Sequence, residues 1–212
     1  PDWNLEAVKA QGRAAWNAQL SRVRIAGQDE DAKHVFYTCL YHAHLYPRTF
    51  SEYGRYYSAF DDQVHAGDCA YNDYSLWDTF RALHPLLTLT APERVGPMVT
   101  SLLQMYREGG WLPLWPNPGY TGMMIGSPAD SVIADAWQKG LRDFDLALAY
   151  EAARKSAMVP QAGDADKTWP NVGPFGSGLG CNGDKPETRP GLTGYMKLGY
   201  VPADTCLESS SR

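Results

Sequence analysis

Residues 92–108 read PERVGPMVTSLLQMYRE. Their apolar side chains recur at the spacing of one face of an α-helix: Val95, Met98, Val99, Leu102, Leu103 and Tyr106. Proline suits the first turn of a helix, and Gly109-Gly110 is typical of a helix end. We therefore predict a helix over 92–108 whose apolar face is buried in the core.

The same spacing extends the helical prediction in both directions. A second apolar stripe comprises Ala32, Val35, Phe36, Cys39, Leu40 and Ala43, so Cys39 is predicted to be a buried thiol. Start and stop signals predict helices over about 3–24, 29–46, 73–90, 127–139 and 143–158, with a short one near 192–198. Strand signals are almost absent. The expected fold class is therefore all-α.

The connections between these helices differ in length. Those at 25–28, 91 and 140–142 are short, whereas those at 47–72, 109–127 and 159–190 are long and rich in aromatic residues. This alternation favours part of an α/α toroid in which the long aromatic-rich loops gather on one face and form the site. The chain has about six predicted helices, which is half of the twelve in a closed toroid. Since the chain also starts without Met and ends without a closing element, we expect residues 1–212 to be a piece of a longer polypeptide.

Composition and charge exclude several function classes. Nineteen Lys and Arg against 24 Asp and Glu give a net charge of −5 with no basic stripe, which argues against a nucleic-acid partner. No apolar run approaches the roughly 20 residues that span a bilayer. The four cysteines lack the paired spacing of a zinc site, and Cys181 and Cys206 are the favoured disulfide pair if the protein is secreted.

The stretch YNDYSLWDTFRALHP, residues 71–85, contains the first candidate site residues. Asp73 is predicted as a helix N-cap, which places Trp77 and Asp78 in the first turns, near the long loop that precedes them. A Trp beside a carboxylate suits a sugar, because the indole covers the apolar face of a pyranose while the carboxylate accepts hydrogen bonds from hydroxyls. The alternative is a surface ion pair of Asp78 with Arg81, with Trp77 in the core.

The stretch GGWLPLWPNPGYTG, residues 109–122, contains the other candidates. Prolines present Trp111, Trp115 and Tyr120 stiffly, so these rings lose little entropy on ligand binding. They are predicted to line a sugar subsite. The alternative is that Trp111 and Trp115 only pack the loop onto the helix ends.

Several blocks in this order resemble glycoside hydrolase family 92: PRTF (47–50), YSLWDTFR (74–81), GGWLP (109–113), MIG (124–126) with VIADA (132–136), and GYVP (199–202). The resemblance implies a calcium-dependent, inverting exo-α-mannosidase, often specific for α-1,2-linked mannose, with an N-terminal β-sandwich and a C-terminal (α/α)6 catalytic domain. Residues 1–212 then resemble the N-terminal half of that toroid, without the β-sandwich or the C-terminal half. By this resemblance Asp78 binds hydroxyls in the −1 subsite, with Trp77 beside it.

The same resemblance places the general acid, the general base and the calcium ligands C-terminal to Arg212, so no catalytic or metal residue is assigned within the chain. It implies a mannose-containing glycan as substrate, and the remainder of the same enzyme, as a second chain or further sequence, as partner. Residues 1–212 alone are not expected to turn over substrate. The expected location is secreted or periplasmic.

Two alternative functions are compatible with the same residues. The chain could belong to another inverting toroid glycosidase, of trehalase or glucoamylase type, or could be a non-catalytic helical carbohydrate-binding module. The histidines (34, 42, 44, 65 and 84) are predicted to have structural roles. Asp61, Asp62, Asp164 and Asp166 are predicted to be solvated loop carboxylates rather than a calcium cage.

Overall fold

The computed structural model describes residues 4–121 and 128–158. Within these residues the chain forms seven helices and four short strands, in the order α1 (Leu5–Leu20), α2 (Glu30–Ala43), β1 (Arg48–Thr49), β2 (Arg55–Ser58), β3 (Gln63–Ala66), β4 (Tyr71–Asn72), α3 (Leu76–Thr79), α4 (Leu83–Thr90), α5 (Pro92–Gly109), α6 (Pro128–Gln138) and α7 (Leu146–Met158). The predicted helix near 192–198 and the predicted Cys181–Cys206 pair lie outside the described residues.

Helix α5 is the centre of the core. The whole apolar stripe that predicted it is buried, and α4, α6 and α7 contribute the side chains that cover it. Gly96 lies on this helix where a side chain would not fit, because its Cβ would stand 2.8 Å from the backbone oxygen of Asp143. The helix ends at Gly109, and its C-cap Gly110 has a left-handed φ of 85°, as the glycine pair predicts.

The predicted helix over 73–90 is wrong as a single element. The structure has a four-residue helix, α3, followed by α4, and Ala82 between them is not helical. Pro85 is the physical reason, since its ring would clash with the carbonyl of Arg81 in a continuous helix but is tolerated in the first turn of a new one. Asp73 is not an N-cap either, because Ser75 precedes α3 and Asp73 has a left-handed φ of 61°.

The long connection over 47–72 folds into two antiparallel ribbons, which the sequence did not predict. β1 pairs with β4, placing Arg48 opposite Asn72, and the β2–β3 ribbon lies between them in sequence. Strands of two and four residues are too short for a clear alternation of polar and apolar side chains. In β2 the buried and exposed positions alternate, but both Tyr56, which faces the core, and Tyr57, which faces solvent, are tyrosines. The sequence therefore shows no alternation there.

Helices α1 and α2 form a less buried layer. Trp16 packs edge-on against Tyr41 with ring centroids 4.4 Å apart. The apolar stripe of α2 is largely uncovered, since Val35 is 63% exposed and Leu40 is the buried residue of this helix. Cys39 is exposed, so its prediction as a buried thiol is wrong. The spacing of the apolar residues correctly predicted a helix, but nothing in the described part of the chain covers the apolar face of α2.

The described residues are thus helix-rich with few strands, which agrees with the predicted class. Within 4–121 and 128–158, no helix combines the length and apolar character needed to cross a bilayer.

Candidate functional site

A polar cleft of about 370 Å³ opens beside the β1–β4 ribbon. This volume lies within the range of about 300–1,000 Å³ that is usual for small-molecule sites. Its walls combine an ion pair, an indole, a hydroxyl and an amide: Tyr46, Arg48, Asp73, Ser75, Trp115, Pro116 and Asn117. We call it the Arg48–Asp73 cleft.

The ion pair in this cleft joins the Arg48 Nε to a carboxylate oxygen of Asp73. The Asp73 side chain is mostly buried, whereas that of Arg48 is more than half exposed. The ribbon register produces this proximity, because Arg48 pairs with Asn72 and Asp73 follows directly. A guanidinium donates and a carboxylate accepts, so together they can hydrogen-bond both kinds of polar atom on a neutral polyol.

Asn72 holds the two sides of the cleft together. Its buried side chain donates from Nδ2 to the carbonyl of Pro118 at 2.9 Å, which ties β4 to the 109–121 loop. Its Oδ1 accepts the backbone N–H of Asp73 at 2.6 Å, which helps to hold the left-handed backbone of that residue. The carboxylate is therefore fixed before any ligand arrives.

Trp115 contributes the aromatic wall of the cleft. Its backbone carbonyl accepts a hydrogen bond from the Thr121 hydroxyl at 2.7 Å. Its indole Nε1 is buried and has no hydrogen-bond partner among residues 4–121 and 128–158. Of the predicted substrate-binding residues, Trp115 is the one that lines this cleft.

Trp111 and Tyr120 lie next to each other, and the contacts between them hold the loop in place. The Tyr120 hydroxyl bonds to both backbone groups of Trp111, and burial raises the pKa of this phenol. The Trp111 ring faces the ammonium of Lys155 at 4.6 Å, and that ammonium also donates to the carbonyl of Gly110 at 2.8 Å. These contacts suit the fixing of the loop, and a substrate-binding role for the two residues stays a prediction.

Trp77 and Asp78 lie in α3, immediately after the cleft residue Ser75. The Arg81 guanidinium stacks on the Trp77 ring at 4.5 Å, and its Nε donates to the Trp77 carbonyl at 3.2 Å. Arg81 and Asp78, both described residues, make no ion pair with each other, so that alternative is not supported. Asp78 is exposed, and its backbone N–H donates to the Ser75 carbonyl at 2.9 Å. Its hydroxyl-binding role remains a prediction.

A second polar cluster ties the β2–β3 ribbon to the end of α5. The Tyr56 hydroxyl donates to the buried carboxylate of Glu108, and the Tyr56 ring stacks on His65 with centroids 5.5 Å apart. His65 Nε2 lies 2.8 Å from a carboxylate oxygen of Asp61. Burial and the Glu108 carboxylate raise the pKa of Tyr56. Asp61 is therefore paired rather than simply solvated, and these contacts suit the structural role predicted for His65.

Metal-ligating side chains are dispersed in the part of the chain that the structure describes. Within 4–121 and 128–158, no three His, Cys, Asp or Glu side chains are grouped closely enough to hold a metal ion. The polar groups of the cleft suit an uncharged, hydroxyl-rich ligand instead.

Sequence reasoning missed Arg48 as a site residue and gave Asp73 only a capping role. The two are 25 positions apart, and a pair of two-residue strands brings them together. The sequence feature that could have indicated Arg48 is PRTF at 47–50, where an Arg follows a helix-stopping Pro at the start of an aromatic-rich loop. Without the pairing, nothing indicated which carboxylate faces that Arg.

The chain matches the model of the Glycosyl hydrolase family 92 catalytic domain along residues 1–212. Among curated proteins, it is 24% identical over 208 residues to a protein of Arthroderma benhamiae named as an uncharacterized secreted glycosidase. That match covers 95% of this chain and 20% of the fungal protein.

Solved structures of the same family are similar as well. A family GH92 inverting mannosidase from Bacteroides thetaiotaomicron VPI-5482 superposes with a TM-score of 0.71 and is 36% identical, covering 79% of this chain and 25% of that one. A GH92 α-mannosidase from Bacteroides thetaiotaomicron gives a TM-score of 0.67 at 32% identity, covering 74% of this chain and 22% of that one. That α-mannosidase has also been solved in complex with mannoimidazole. The chain thus spans a quarter or less of the length of these relatives.

Proposed function

Because the chain belongs to glycosyl hydrolase family 92, we propose that it supplies the substrate-binding part of an inverting exo-α-mannosidase acting on α-1,2-linked mannosides. Its helices would then form the N-terminal half of an (α/α)6 toroid, with the aromatic-rich loops gathered on the substrate face. We refer below to the polypeptide that carries this chain with the rest of its catalytic domain as the intact enzyme.

The observation that carries the proposal is the Arg48–Asp73 cleft with Trp115 in its wall. An indole can cover the apolar C–H face of a pyranose, while the ion pair and Asn117 bond its hydroxyls. A pyranose presents hydroxyl donors and acceptors beside an apolar face, and the cleft offers partners for both. Asp78, which follows Ser75 by three positions, is proposed to bind hydroxyls of the same mannose.

Inversion requires two carboxyl groups about 6.5–9.5 Å apart, one protonating the leaving oxygen and one activating water on the opposite face. We assign neither role to a residue of this chain and place both beyond Arg212. Calcium is expected with ligands outside this chain. The contribution of residues 1–212 is to bind and orient the sugar, which can supply a large part of the rate acceleration.

The remainder of the enzyme is the proposed partner of the uncovered helical faces. Leu5 and Val8, three positions apart on α1, and Val35 on α2 are exposed aliphatic side chains that another part of the protein would cover. A secreted or periplasmic location is proposed by analogy with the fungal relative, whose name describes it as secreted.

The test is hydrolysis of α-1,2-mannobiose by the intact enzyme, followed by proton NMR of the first product formed. We expect β-mannose to appear first. Release of α-mannose would contradict inversion, and cleavage of glucosides but not mannosides would favour a trehalase or glucoamylase type. Binding of the disaccharide without turnover would favour a carbohydrate-binding module.

A further inference from the structure

A second groove lies on the β2–β3 ribbon and shares a wall with the cleft. Its volume is about 520 Å³, and Arg48 lines both spaces. Its lining also includes Glu52, Tyr53, Arg55, Tyr57 and Val64. We call it the ribbon groove. The ribbon groove therefore adjoins the cleft at the Arg48 side chain.

Tyr53 is presented at the edge of this groove in an unusual way. Its side chain is 96% exposed, and its φ of 52° is left-handed, as is that of Gly54. Two successive left-handed residues make a tight hairpin turn, which Glu52 and Arg55 close with backbone hydrogen bonds of 2.8 and 3.2 Å. Asn is the preferred first residue of such a turn, so an aromatic residue here carries a conformational cost with no packing to offset it.

A second tyrosine of the groove, Tyr57, is held by a hydrogen bond. Tyr57 is 45% exposed, and its hydroxyl donates to the Asp62 carboxylate at 2.9 Å. With the Arg48 and Arg55 guanidinium groups and the Glu52 carboxylate, the ribbon groove offers exposed aromatic faces between charged hydrogen-bonding groups. Rings of this amphipathic kind suit the two-sided surface of a sugar.

The character of this groove differs from that of the helical faces described above. The exposed side chains on α1 and α2 are aliphatic, Leu5, Val8 and Val35, which suits burial against polypeptide. The ribbon groove contains one exposed aliphatic residue, Val64, but combines it with tyrosines and charged groups and adjoins a polar cleft at Arg48. These differences favour a carbohydrate over a protein segment as its occupant.

We propose that the ribbon groove binds the sugar units that follow the terminal mannose of an oligosaccharide, with Tyr53 as the stacking platform. This inference rests on the proposed function, with the terminal mannose in the Arg48–Asp73 cleft. It makes the β2–β3 ribbon a determinant of glycan length and leaving-group preference. Arg48 joins the two spaces and contacts both parts of the substrate.

The experiment compares two substrates in the intact enzyme and its Tyr53→Asn variant. Asn keeps the left-handed turn and removes the ring, so folding is preserved. One substrate is an α-1,2-linked mannotriose, and the other is α-mannosyl fluoride, whose leaving group is too small to reach the groove. We expect kcat/KM to fall about fivefold for mannotriose and to stay unchanged for the fluoride, as expected for loss of one stacking contact.

Two further variants complete the design. Tyr53→Phe keeps the ring and should retain activity on both substrates, and Tyr150→Ala removes another exposed tyrosine, on α7, as a matched control. Equal losses on both substrates, or a lowered melting temperature in Tyr53→Asn, would overturn the proposal in favour of a polypeptide occupant. Unchanged kinetics on mannotriose would overturn it as well.

A binding measurement separates this inference from the proposed function. If the wild type hydrolyses neither substrate, the mannosidase proposal fails, and titration with mannotriose still tests the groove. Affinity for mannotriose that falls in Tyr53→Asn would support the groove even then. Equal affinity in the two proteins, or no binding to the wild type, would overturn it.

Discussion

The hydroxyl of Tyr120 bonds to both backbone groups of Trp111, accepting from the N–H at 3.1 Å and donating to the carbonyl at 2.7 Å. The same ring packs edge-on against Phe60 with centroids 4.6 Å apart. It also fills the space beside Gly109, where a Cβ would lie 2.6 Å from the Tyr120 Cε2. One side chain thus joins the end of α5, the loop that follows it and the segment before β3.

Tyr120→Phe should therefore destabilise the intact enzyme. The change leaves two part-buried backbone groups of Trp111 without this partner, which costs about 1–3 kcal/mol. Urea unfolding measures the loss, and Tyr150→Phe, at an exposed position of α7, is the control. If Tyr120 instead binds substrate, affinity for a mannose-type inhibitor would fall while the unfolding free energy stayed the same.

Two glycines should respond to alanine in opposite directions. Gly96→Ala places a methyl group against the backbone of Asp143, and overpacking of this kind costs about 1–3 kcal/mol. Gly12→Ala on α1 has nothing within 4 Å of the new Cβ and should gain up to about 1 kcal/mol of helix propensity. Thermal unfolding should show a lower melting temperature for Gly96→Ala and a higher one for Gly12→Ala than for the wild type. Equal shifts would contradict the close approach of α5 to residue 143.

The helices that sequence predicted best are those whose apolar stripe is buried. The stripe of α5 has the helical period and a covered face, so pattern and burial agree. The stripe on α2 has the same period, yet Val35 and Cys39 are exposed. Periodicity reports which residues share a face. Whether that face is covered depends on the rest of the fold, which local sequence does not contain.

The candidate site was harder to predict for a related reason. Trp115, which lines the cleft, was a candidate because aromatic residues in a Pro-rich loop stand out in the sequence. The ion pair of Arg48 with Asp73 depends on a ribbon of two-residue strands and on a left-handed backbone at Asp73. Neither has a periodic signal. Long-range pairing, rather than residue type, decided which groups line the cleft.

His84 should make stability depend on pH. This residue of α4 is buried, and its ring stacks on that of Tyr74. Burial lowers the pKa of His84 to about 4, although the Asp135 carboxylate acts in the opposite direction. The unfolded chain, with an ordinary His pKa of 6.5, therefore binds more protons between these values. The stabilisation is complete above pH 6.5 and is lost as the pH falls toward 4.

His84→Phe keeps a ring beside Tyr74 and removes the titrating group. The lowered pKa corresponds to about 3 kcal/mol over the full interval, so wild type should lose about 2 kcal/mol more than the variant between pH 7 and pH 4.5. Urea unfolding at the two pH values measures this difference. Parallel losses in the two proteins would show that His84 is not the titrating group.

Asp78→Asn should lower kcat/KM of the intact enzyme on α-mannosyl fluoride by about tenfold or more. Loss of a charge-assisted acceptor for a sugar hydroxyl is worth about 1.5–3 kcal/mol. Asp31→Asn, at an exposed position in the first turn of α2, is the matched control. Wild-type kinetics in a folded Asp78→Asn protein would remove Asp78 from the substrate site.

Asp73→Asn tests the cleft without disturbing its backbone. Asn tolerates the left-handed φ of 61° at this position and keeps the shape of the side chain, but it removes the charge that faces Arg48. We expect about a tenfold fall in kcat/KM on α-mannosyl fluoride, because a charge-assisted hydrogen bond to the sugar is lost.

Asp62→Asn is the matched control for that change, since Asp62 has a similar left-handed φ of 59° but does not line the Arg48–Asp73 cleft. Its amide oxygen can still accept from Tyr57, and the fluoride substrate does not reach the ribbon groove, so its kinetics should match the wild type. Equal losses in the two variants would mean that the effect comes from removing an aspartate from a turn. A loss confined to Asp73→Asn places that carboxylate against the bound sugar.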